Sequence, residues 1–347
     1  MQYFTGSYIV TILGVILAWF WGEHMQHGAG LLSVLIVLVL GLLEVSLSFD
    51  NAVVNAMKLE KMNEKWRQRF LTWGIMVAVF GMRFLFPVLV VAIFAQISLL
   101  EVVKIALSDA HKYTYYLHQT HASIVTFGGT FLMMLFLAYF FDSEKEVHWI
   151  KYLEEKLKYF GNFKGAEVIA TLLALFAVQA HIHTKQRLFV VLSGLSGIII
   201  YLLIDGITIW LEQKEEESIK QFATTIKGAG LMGFLYLELI DASFSLDGVL
   251  GAFALSKDII IITIGLAIGA MFVRSLTVML VEKRTLSKYL YLEHGAHWAI
   301  GALAVIMLIS SFHEIPEVLT GLIGLAFILL ALTSSLMHNK NVKREES

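Results

Sequence analysis

The sequence predicts an all-α, polytopic membrane protein: a helix bundle of about ten spans that contains two inverted three-helix repeats. Hydrophobic residues fill 58% of the 347 positions and charged residues only 16%, against roughly 25% charged residues in soluble domains. Many windows reach the roughly 20 apolar residues that a helix needs to cross a bilayer. The repeats are predicted by a short acidic motif that occurs in two of these windows.

Ten apolar segments are candidate spans, and the first and fifth are the shortest. They lie at 5–21, 31–57, 70–96, 122–141, 166–182, 188–211, 228–255, 259–281, 295–312 and 315–337. The first segment has no basic stretch before it, so it is interpreted as a span and not as a cleavable signal peptide.

The distribution of basic residues predicts the orientation of the chain. If the N-terminus is cytoplasmic, the inner loops hold 19 Lys and Arg residues and the outer loops hold 5. The other two, Arg83 and Arg274, lie inside spans. Because cytoplasmic loops carry an excess of Lys and Arg, both termini are predicted to be cytoplasmic.

The spans divide the chain into five regions. These are a leading transmembrane helix and outer loop (1–30), a first repeat (31–141), a connecting region with two spans (142–227), a second repeat (228–312), and a last span with a cytoplasmic tail (313–347). The connecting region begins with apolar residues at helical spacing among charges. That pattern fits either an amphipathic helix on the inner membrane surface or a solvated connector helix.

Two acidic motifs with a common pattern lie in apolar stretches. The first contains Glu44, Ser48, Asp50 and Asn51, and the second contains Glu238, Asp241, Ser245 and Asp247. Aligning Asp50 with Asp247 also aligns Glu44 with Asp241. A carboxylate at bilayer depth costs at least a few kcal/mol. A chain that carries this cost twice is expected to use the groups.

Each motif is followed by an arginine helix and a glycine helix. Arg83 comes nine residues after Gly74, and Arg274 comes nine residues after Gly265. The two acidic helices are spans two and seven, and an odd offset makes the copies cross the membrane in opposite directions. Inverted repeats of this kind are a transporter architecture with the binding site near the midplane.

The donor atoms of the two motifs are almost all oxygen. Hard oxygen sites suit Mg²⁺, Ca²⁺ or Mn²⁺ better than Cu⁺ or Zn²⁺, and the chain has no cysteine. On a regular helix, Glu44 and Asp50 differ in direction by about 120°. Their convergence would require a helix break or donors from both halves. The serines and Asn51 are poor helix formers and favour a break.

The acidic residues outnumber the basic residues near them. The five motif carboxylates, with Asp205 in span six, face only Arg83 and Arg274. Such an excess of negative charge is too large to leave buried without compensation. It can be relieved by a divalent cation, by protons, or by alternation between the two, which would be a cation/proton exchange. The alternative is that Arg–Asp pairs simply fix helix packing.

The sequence leaves the role of several other residues in the predicted spans open between two interpretations. Arg83 and Arg274 fit gating or charge pairing better than substrate contact, and Asp205 remains open. Histidines near span ends fit interfacial anchoring better than metal capture or proton relay; they are His118, His121, His294 and His297.

The acidic motifs resemble those of the TerC/Alx-like integral membrane proteins. The resemblance rests on Glu44 with Ser48-Phe-Asp50-Asn51, and on Glu238-x-x-Asp241 with Phe244-Ser-Leu-Asp247. It implies metal-ion transport, manganese efflux above all, in a bacterial inner membrane. It also implies an ion site formed by Glu44, Asp50, Asn51, Glu238, Asp241 and Asp247. This chain departs from the family at Gly248, where a serine is common, and in its additional spans.

The resulting hypothesis is a secondary transporter that exports a divalent cation, Mn²⁺ by resemblance, through a midplane acidic site. No phosphate-binding Gly-rich motif ending in Lys is visible, so direct ATP hydrolysis is not expected. No enzymatic activity, resident cofactor or nucleic-acid partner is expected, and the oligomeric state is open. A membrane metal sensor or assembly factor is the alternative. Gly194-Leu-Ser196-Gly197 matches a short motif of intramembrane serine proteases, but small residues at this spacing more often allow close helix packing.

Overall fold

The computed structural model describes residues 2–25, 27–62, 64–77, 81, 85–221, 234, 237, 252, 255–256, 258–283, 289–313, 315 and 317–345. Within these ranges every regular element is helical, which confirms the all-α class. A short 3-10 helix, Gln2–Phe4, precedes thirteen α-helices in the described part of the chain. They are α1 Thr5–Met25, α2 Gly30–Leu47, α3 Phe49–Lys61, α4 Glu64–Met76, α5 Phe86–Ala95, α6 Leu99–Ser108, α7 Ala110–Phe140, α8 Lys151–Phe160, α9 Ala166–Gln179, α10 Thr184–Gln221, α11 Ile259–Glu282, α12 Leu292–Ser310 and α13 Glu317–Glu345.

Six described helices are long and apolar enough to cross a membrane. The candidate segments are Thr5–Met25, His118–Phe140, Gln186–Ile207, Ile259–Glu282, Leu292–Ser310 and Leu322–Lys340. Two shorter apolar helices are Gly30–Val45, which covers the first part of the second predicted span (31–57), and Ala166–Gln179, which covers most of the fifth (166–182). The predicted span 228–255 lies almost wholly outside the described residues. The described helices therefore provide six candidate membrane spans, and the count of ten remains a prediction.

Helices α2 and α3 run parallel to α11, and glycines let them approach closely. A side chain on Gly265 would collide with Leu40, and one on Gly269 would collide with Glu44. Further along, the Thr277 hydroxyl lies 3.4 Å from the carbonyl oxygen of Ala52. All three pairs are separated by the same number of positions, so the register is constant along the contact. Small residues allow this kind of backbone approach in membrane bundles.

Helix α7 lies between α10 and α12. It is parallel to α10, with the Thr130 hydroxyl donating to the Gly194 carbonyl at 2.9 Å. It is antiparallel to α12, where Gly129 packs on Leu308 and Gly301 packs on the ring of Phe136.

The directions of other neighbours agree with helices that alternate across a membrane. Helix α1 is antiparallel to α11, since Ser7 bonds Ser275 at 2.8 Å and Gly14 lies against Ile268. Helix α12 is antiparallel to α13, where Gly295 packs against Ala331. Each of these pairs is parallel or antiparallel as the predicted order of spans requires.

The buried apolar residues form two clusters along the α2–α3 axis. Val37 and Leu40 of α2 belong to one cluster with parts of α1, α5, α6 and α11. Val53 and Leu59 of α3 belong to the other, with parts of α7, α9, α10, α12 and α13. The polar end of α2 and start of α3 therefore lie between two apolar clusters.

Candidate functional site

The junction of α2 and α3 is a single residue, Ser48. Its backbone has φ −105° and ψ 16°, outside helical geometry. The Ser48 N–H donates to the Glu44 carbonyl at 2.9 Å, and the Ser48 carbonyl accepts from Ala52 N–H at 3.2 Å. The hydrogen-bond ladder thus continues across the junction. The predicted helix break is present, but it is a local irregularity and not an unwound turn.

Glu44 is buried beside this junction. Its side chain is 1% exposed, and its Oε1 accepts a hydrogen bond from Ser48 Oγ at 2.7 Å. Its Cβ and Cγ lie directly over Gly269 of α11. Glu44 was predicted from the sequence and Gly269 was not; the only local signal for Gly269 is the Gly265-x-x-x-Gly269 spacing.

A buried polar stripe runs along α2 and α3. It consists of Glu44, Ser48, Asn51 and Asn55, which are 1%, 3%, 1% and 6% exposed. Their spacings of four, three and four residues keep them on one face of a helix. From Glu44 to Asn55 the stripe is about 16 Å long, roughly half of a hydrocarbon core. Asn55 was not predicted as a site residue, although its helical spacing from Glu44, Ser48 and Asn51 is a sequence signal for it.

Arg274 of α11 lies near the same level. The constant register between α11 and α2–α3 brings its backbone beside the first residues of α3. The Arg274 side chain is partly buried. One turn further, Thr277 donates to the Val273 carbonyl at 3.0 Å and lies close to Ala52. This placement is compatible with the predicted charge-pairing role of Arg274.

The remaining predicted site residues are not described. The backbone of Asp50 belongs to the first turn of α3, but its side chain is outside the description, as are Arg83, Glu238, Asp241 and Asp247. In the described part, no group of three or more His, Asp or Glu side chains could hold a metal ion. Of the five predicted carboxylate ligands, that search included only Glu44, so the joining of the two motifs remains a prediction.

Two histidines of α12 pack inside the protein instead of anchoring it at the membrane surface. His294 and His297 are 3% and 8% exposed. The His297 ring stacks on Tyr139 of α7, with centroids 3.4 Å apart and planes 5° from parallel. On α7, His118 is exposed and His121 is partly buried. The predicted interfacial role therefore does not describe His294 and His297.

Glu154 is a buried carboxylate that the sequence analysis did not identify. It belongs to α8, the predicted amphipathic segment, and is 1% exposed. It accepts hydrogen bonds from His294 Nδ1 and Trp298 Nε1, both at 2.9 Å. Two backbone N–H groups, those of Trp149 and Ile150, also donate to it, at 2.9 and 3.3 Å. Glu154 thereby attaches α8 to the start of α12.

The hydrogen bonds determine the charge of Glu154. Burial acts to raise the pKa of its carboxyl, but the bonds from His294, Trp298 and the backbone outweigh burial and lower the pKa to about 2. His148 lies nearby, with Nδ1 3.7 Å from Oε2. An ionised carboxylate only accepts hydrogen bonds, so His294 Nδ1 carries the proton.

The Gly194-Leu-Ser196-Gly197 motif serves close helix packing in the described structure. Gly194 lies against Leu175 of α9, and Gly197 lies against Thr130 and the Phe127 carbonyl of α7. Ser196 is on the exposed side of α10, where its hydroxyl donates to the Leu192 carbonyl at 2.8 Å.

Comparison with known proteins places the chain among membrane proteins. A segment of 143 residues is 30% identical to "Uncharacterized membrane protein YceF" of Bacillus subtilis (strain 168), and it covers 40% of this chain and 55% of the relative. The chain thus matches about half the length of this curated relative. No solved structure matches. Residues 49–342 match the family described as "Protein of unknown function (DUF475)". The chain is therefore an integral membrane protein that belongs to the DUF475 family.

Proposed function

We propose that this protein is a secondary transporter that exports a divalent metal cation, Mn²⁺ being the first candidate, through an acidic site at mid-membrane. The observation that carries the proposal is the position of Glu44. Its carboxylate is buried between two apolar clusters, and its Oε1 accepts a hydrogen bond from Ser48 at the helix junction. A carboxylate at this depth is a functional group by default.

The donor set of the site favours a hard cation. Glu44, Ser48 and Asn51 offer carboxylate, hydroxyl and amide oxygens on one helix face. In this proposal Asp50 and Asp247 are the midplane ligands, and Glu44, Glu238 and Asp241 complete the site or carry protons. Oxygen ligands suit Mg²⁺, Ca²⁺ and Mn²⁺. The resemblance to the TerC/Alx-like proteins favours Mn²⁺ among them.

Contacts between the two predicted repeats support their inversion. The Val37 carbonyl of the first acidic helix approaches Gly265 of the second arginine helix. The repeat alignment pairs Val37 with Phe234, which belongs to the predicted second acidic span, 228–255. Phe234 contacts α4, which overlaps the start of the predicted arginine span 70–96 of the first repeat. Its ring centroid lies 6.2 Å from that of Trp66 and 5.8 Å from that of Phe70. Such reciprocal contacts are expected when two repeats are related by a two-fold axis in the membrane plane.

The packing of the glycine helices supports the same relation. Gly128 and Gly301 belong to the predicted glycine helices of the two repeats, which are α7 and α12. These two helices are antiparallel, and glycines of both helices lie in their contact. An inverted pair is expected to meet in this antiparallel sense. The proposed site would lie where the two repeats face each other.

The energy source in this proposal is a proton gradient or the membrane potential. Moving one elementary charge through 100 mV is worth about 2.3 kcal/mol. Exchange against protons would let the carboxylates alternate between a cation-bound and a protonated state. The excess of Lys and Arg in alternate loops predicts that both termini are cytoplasmic. Export then requires that the site open first toward the cytoplasm.

The test is metal flux by the purified protein in liposomes. Mn²⁺, Mg²⁺ and Ca²⁺ are offered across a series of pH gradients, for the wild type, for Asp50→Asn and for Asp50→Asn combined with Asp247→Asn. Glu144→Gln is the matched control, because Glu144 is exposed in the loop after α7. The proposal expects flux in the wild type and the control, and none in the Asp variants. Metal binding without flux by the wild type would instead favour a sensor or assembly factor.

A further inference from the structure

Asn55 is the last residue of the buried polar stripe, and its side-chain oxygen is a buried acceptor. Its Oδ1 is fully buried and has no hydrogen-bond partner in the described structure. The side chain as a whole is 6% exposed. A buried acceptor that forms no hydrogen bond costs about 1–3 kcal/mol. The neighbouring positions Val54 and Ala56 are apolar and buried, so an apolar side chain would have been the cheaper choice at position 55.

The position of Asn55 relates it to the proposed ion site. Asn51 and Asn55 are one helical turn apart, about 40° in direction and 6 Å along the axis. From Asn55, α3 continues for six residues to Lys61 and the basic segment that follows. That segment is cytoplasmic in the predicted orientation. Asn55 is therefore the stripe residue nearest to the predicted cytoplasmic end.

The ordinary structural explanation for a buried asparagine does not apply here. Buried amides usually join helices by hydrogen bonds across their contact. The Asn55 oxygen accepts no hydrogen bond in the described structure, although α3 packs against α11, α12 and α13. An acceptor oxygen held in this way is available to a water molecule or a cation.

We propose that Asn55 is a cation-binding position on the cytoplasmic side of the proposed site, which a divalent ion occupies on its way to Glu44 and Asn51. This inference rests on the proposed function and names a further residue of the same path. The ligand class is a hard, partly hydrated divalent cation, because a neutral amide oxygen replaces one water molecule without adding charge. A neutral ligand at the entrance permits release toward the deeper carboxylates.

Two variants separate a binding role from a packing role. Asn55→Leu keeps a similar volume and removes the oxygen, and Asn55→Asp keeps the shape and adds charge. Binding of Mn²⁺ to the purified protein is measured by calorimetry, flux is measured in liposomes, and the melting temperature is measured without metal. Asn55→Leu is expected to weaken Mn²⁺ binding and raise the KM of flux by about ten- to hundredfold. Its melting temperature is expected to match or exceed that of the wild type, since a buried unpaired acceptor is lost.

The aspartate variant tests the opposite change. Asn55→Asp is expected to bind Mn²⁺ more tightly than the wild type and to transport with lower KM and lower kcat, because the ion leaves the charged position slowly. The inference fails if Asn55→Leu has wild-type binding and KM. It also fails if Asn55→Leu lowers the melting temperature and loses flux while Asn55→Asp behaves like the wild type, since Asn55 would then serve packing.

The outcomes also distinguish this inference from the proposed function. If Asp50→Asn abolishes flux and Asn55→Leu does not change it, the transporter stands and the role of Asn55 is wrong. If the wild type binds Mn²⁺ and Asn55→Leu binds it weakly, but no flux occurs, the binding position stands and the transporter is wrong.

Discussion

Glu44 lies directly over Gly269, so that one helix carries the buried carboxylate and its parallel neighbour makes room for it. The side chain of Glu44 occupies the volume that any Cβ at position 269 would need. The carboxylate is thus positioned from two sides. Ser48 donates a hydrogen bond to it, and Gly269 of α11, which has no side chain, leaves space for it.

Gly269→Ala is expected to displace Glu44 and to destabilise the protein by about 1–3 kcal/mol, the usual cost of overpacking. Flux should fall with it, while the chain still inserts into the membrane. Gly206→Ala is the control, because a Cβ at Gly206 meets nothing within 4 Å. Melting temperature and flux are measured for both variants. Equal behaviour of the two would show that the close approach at Gly269 does not position Glu44.

Glu44→Gln removes the charge and keeps a side-chain oxygen that can still accept from Ser48. We expect metal binding to weaken by about a hundredfold or more, while the melting temperature changes little, because the amide has the shape of the carboxylate. Ser48→Ala should have a smaller effect, about tenfold, since outer partners of a metal ligand typically contribute about 10- to 100-fold. Calorimetric titration with Mn²⁺ measures both effects. Wild-type binding by Glu44→Gln would exclude this carboxylate from the site.

Glu154→Gln is expected to loosen α8 and to change the pH dependence of stability. The pKa of Glu154 in the folded protein is about 2, below an unfolded value near 4.3. The stabilisation is therefore fully present above about pH 4.3 and is lost as the pH falls toward 2. The wild type should melt several degrees higher than Glu154→Gln at pH 6, and the difference should shrink below pH 4.

The control for this prediction is the exposed neighbour, Glu155→Gln. The titratable groups that face Glu154 are His148 and His294, with Lys145 and His297 nearby. They are the same in the wild type and both variants, so the difference isolates Glu154. A loss of about 1 kcal/mol lowers the melting temperature of a soluble domain of about 150–250 residues by roughly 2–4 °C, which sets the scale of the expected shift. A constant difference from pH 6 to pH 3 would contradict the prediction.

The orientation of the chain can be tested with single cysteines, because the protein has none. His27→Cys lies in the loop between α1 and α2, which is predicted to be outside, and Glu144→Cys lies in the loop after α7, which is predicted to be inside. Both positions are exposed. A membrane-impermeant maleimide should label the first in intact spheroplasts and the second only after lysis. The reverse result would invert the topology.

Local sequence features determined the class of the protein and much of its helix arrangement. Apolar runs, their lengths and the excess of basic residues in alternate loops are properties of short segments, and a bilayer acts on each segment separately. Glu44 could be singled out in the same way, because a carboxylate within an apolar run is costly wherever the helix packs. The break at Ser48 was also predictable, although its small extent was not.

The tertiary structure decided which face of each helix is buried and which helix packs against it. Gly269 matters because α2 comes to lie on it, and Asn55 is buried because α11, α12 and α13 surround α3. Glu154 looked like one more surface charge of an amphipathic segment until His294 and Trp298, about 140 residues away, surrounded its carboxylate. Helical periodicity places residues on a common face, but the partner of that face comes from distant parts of the chain. Only the packed structure identifies it.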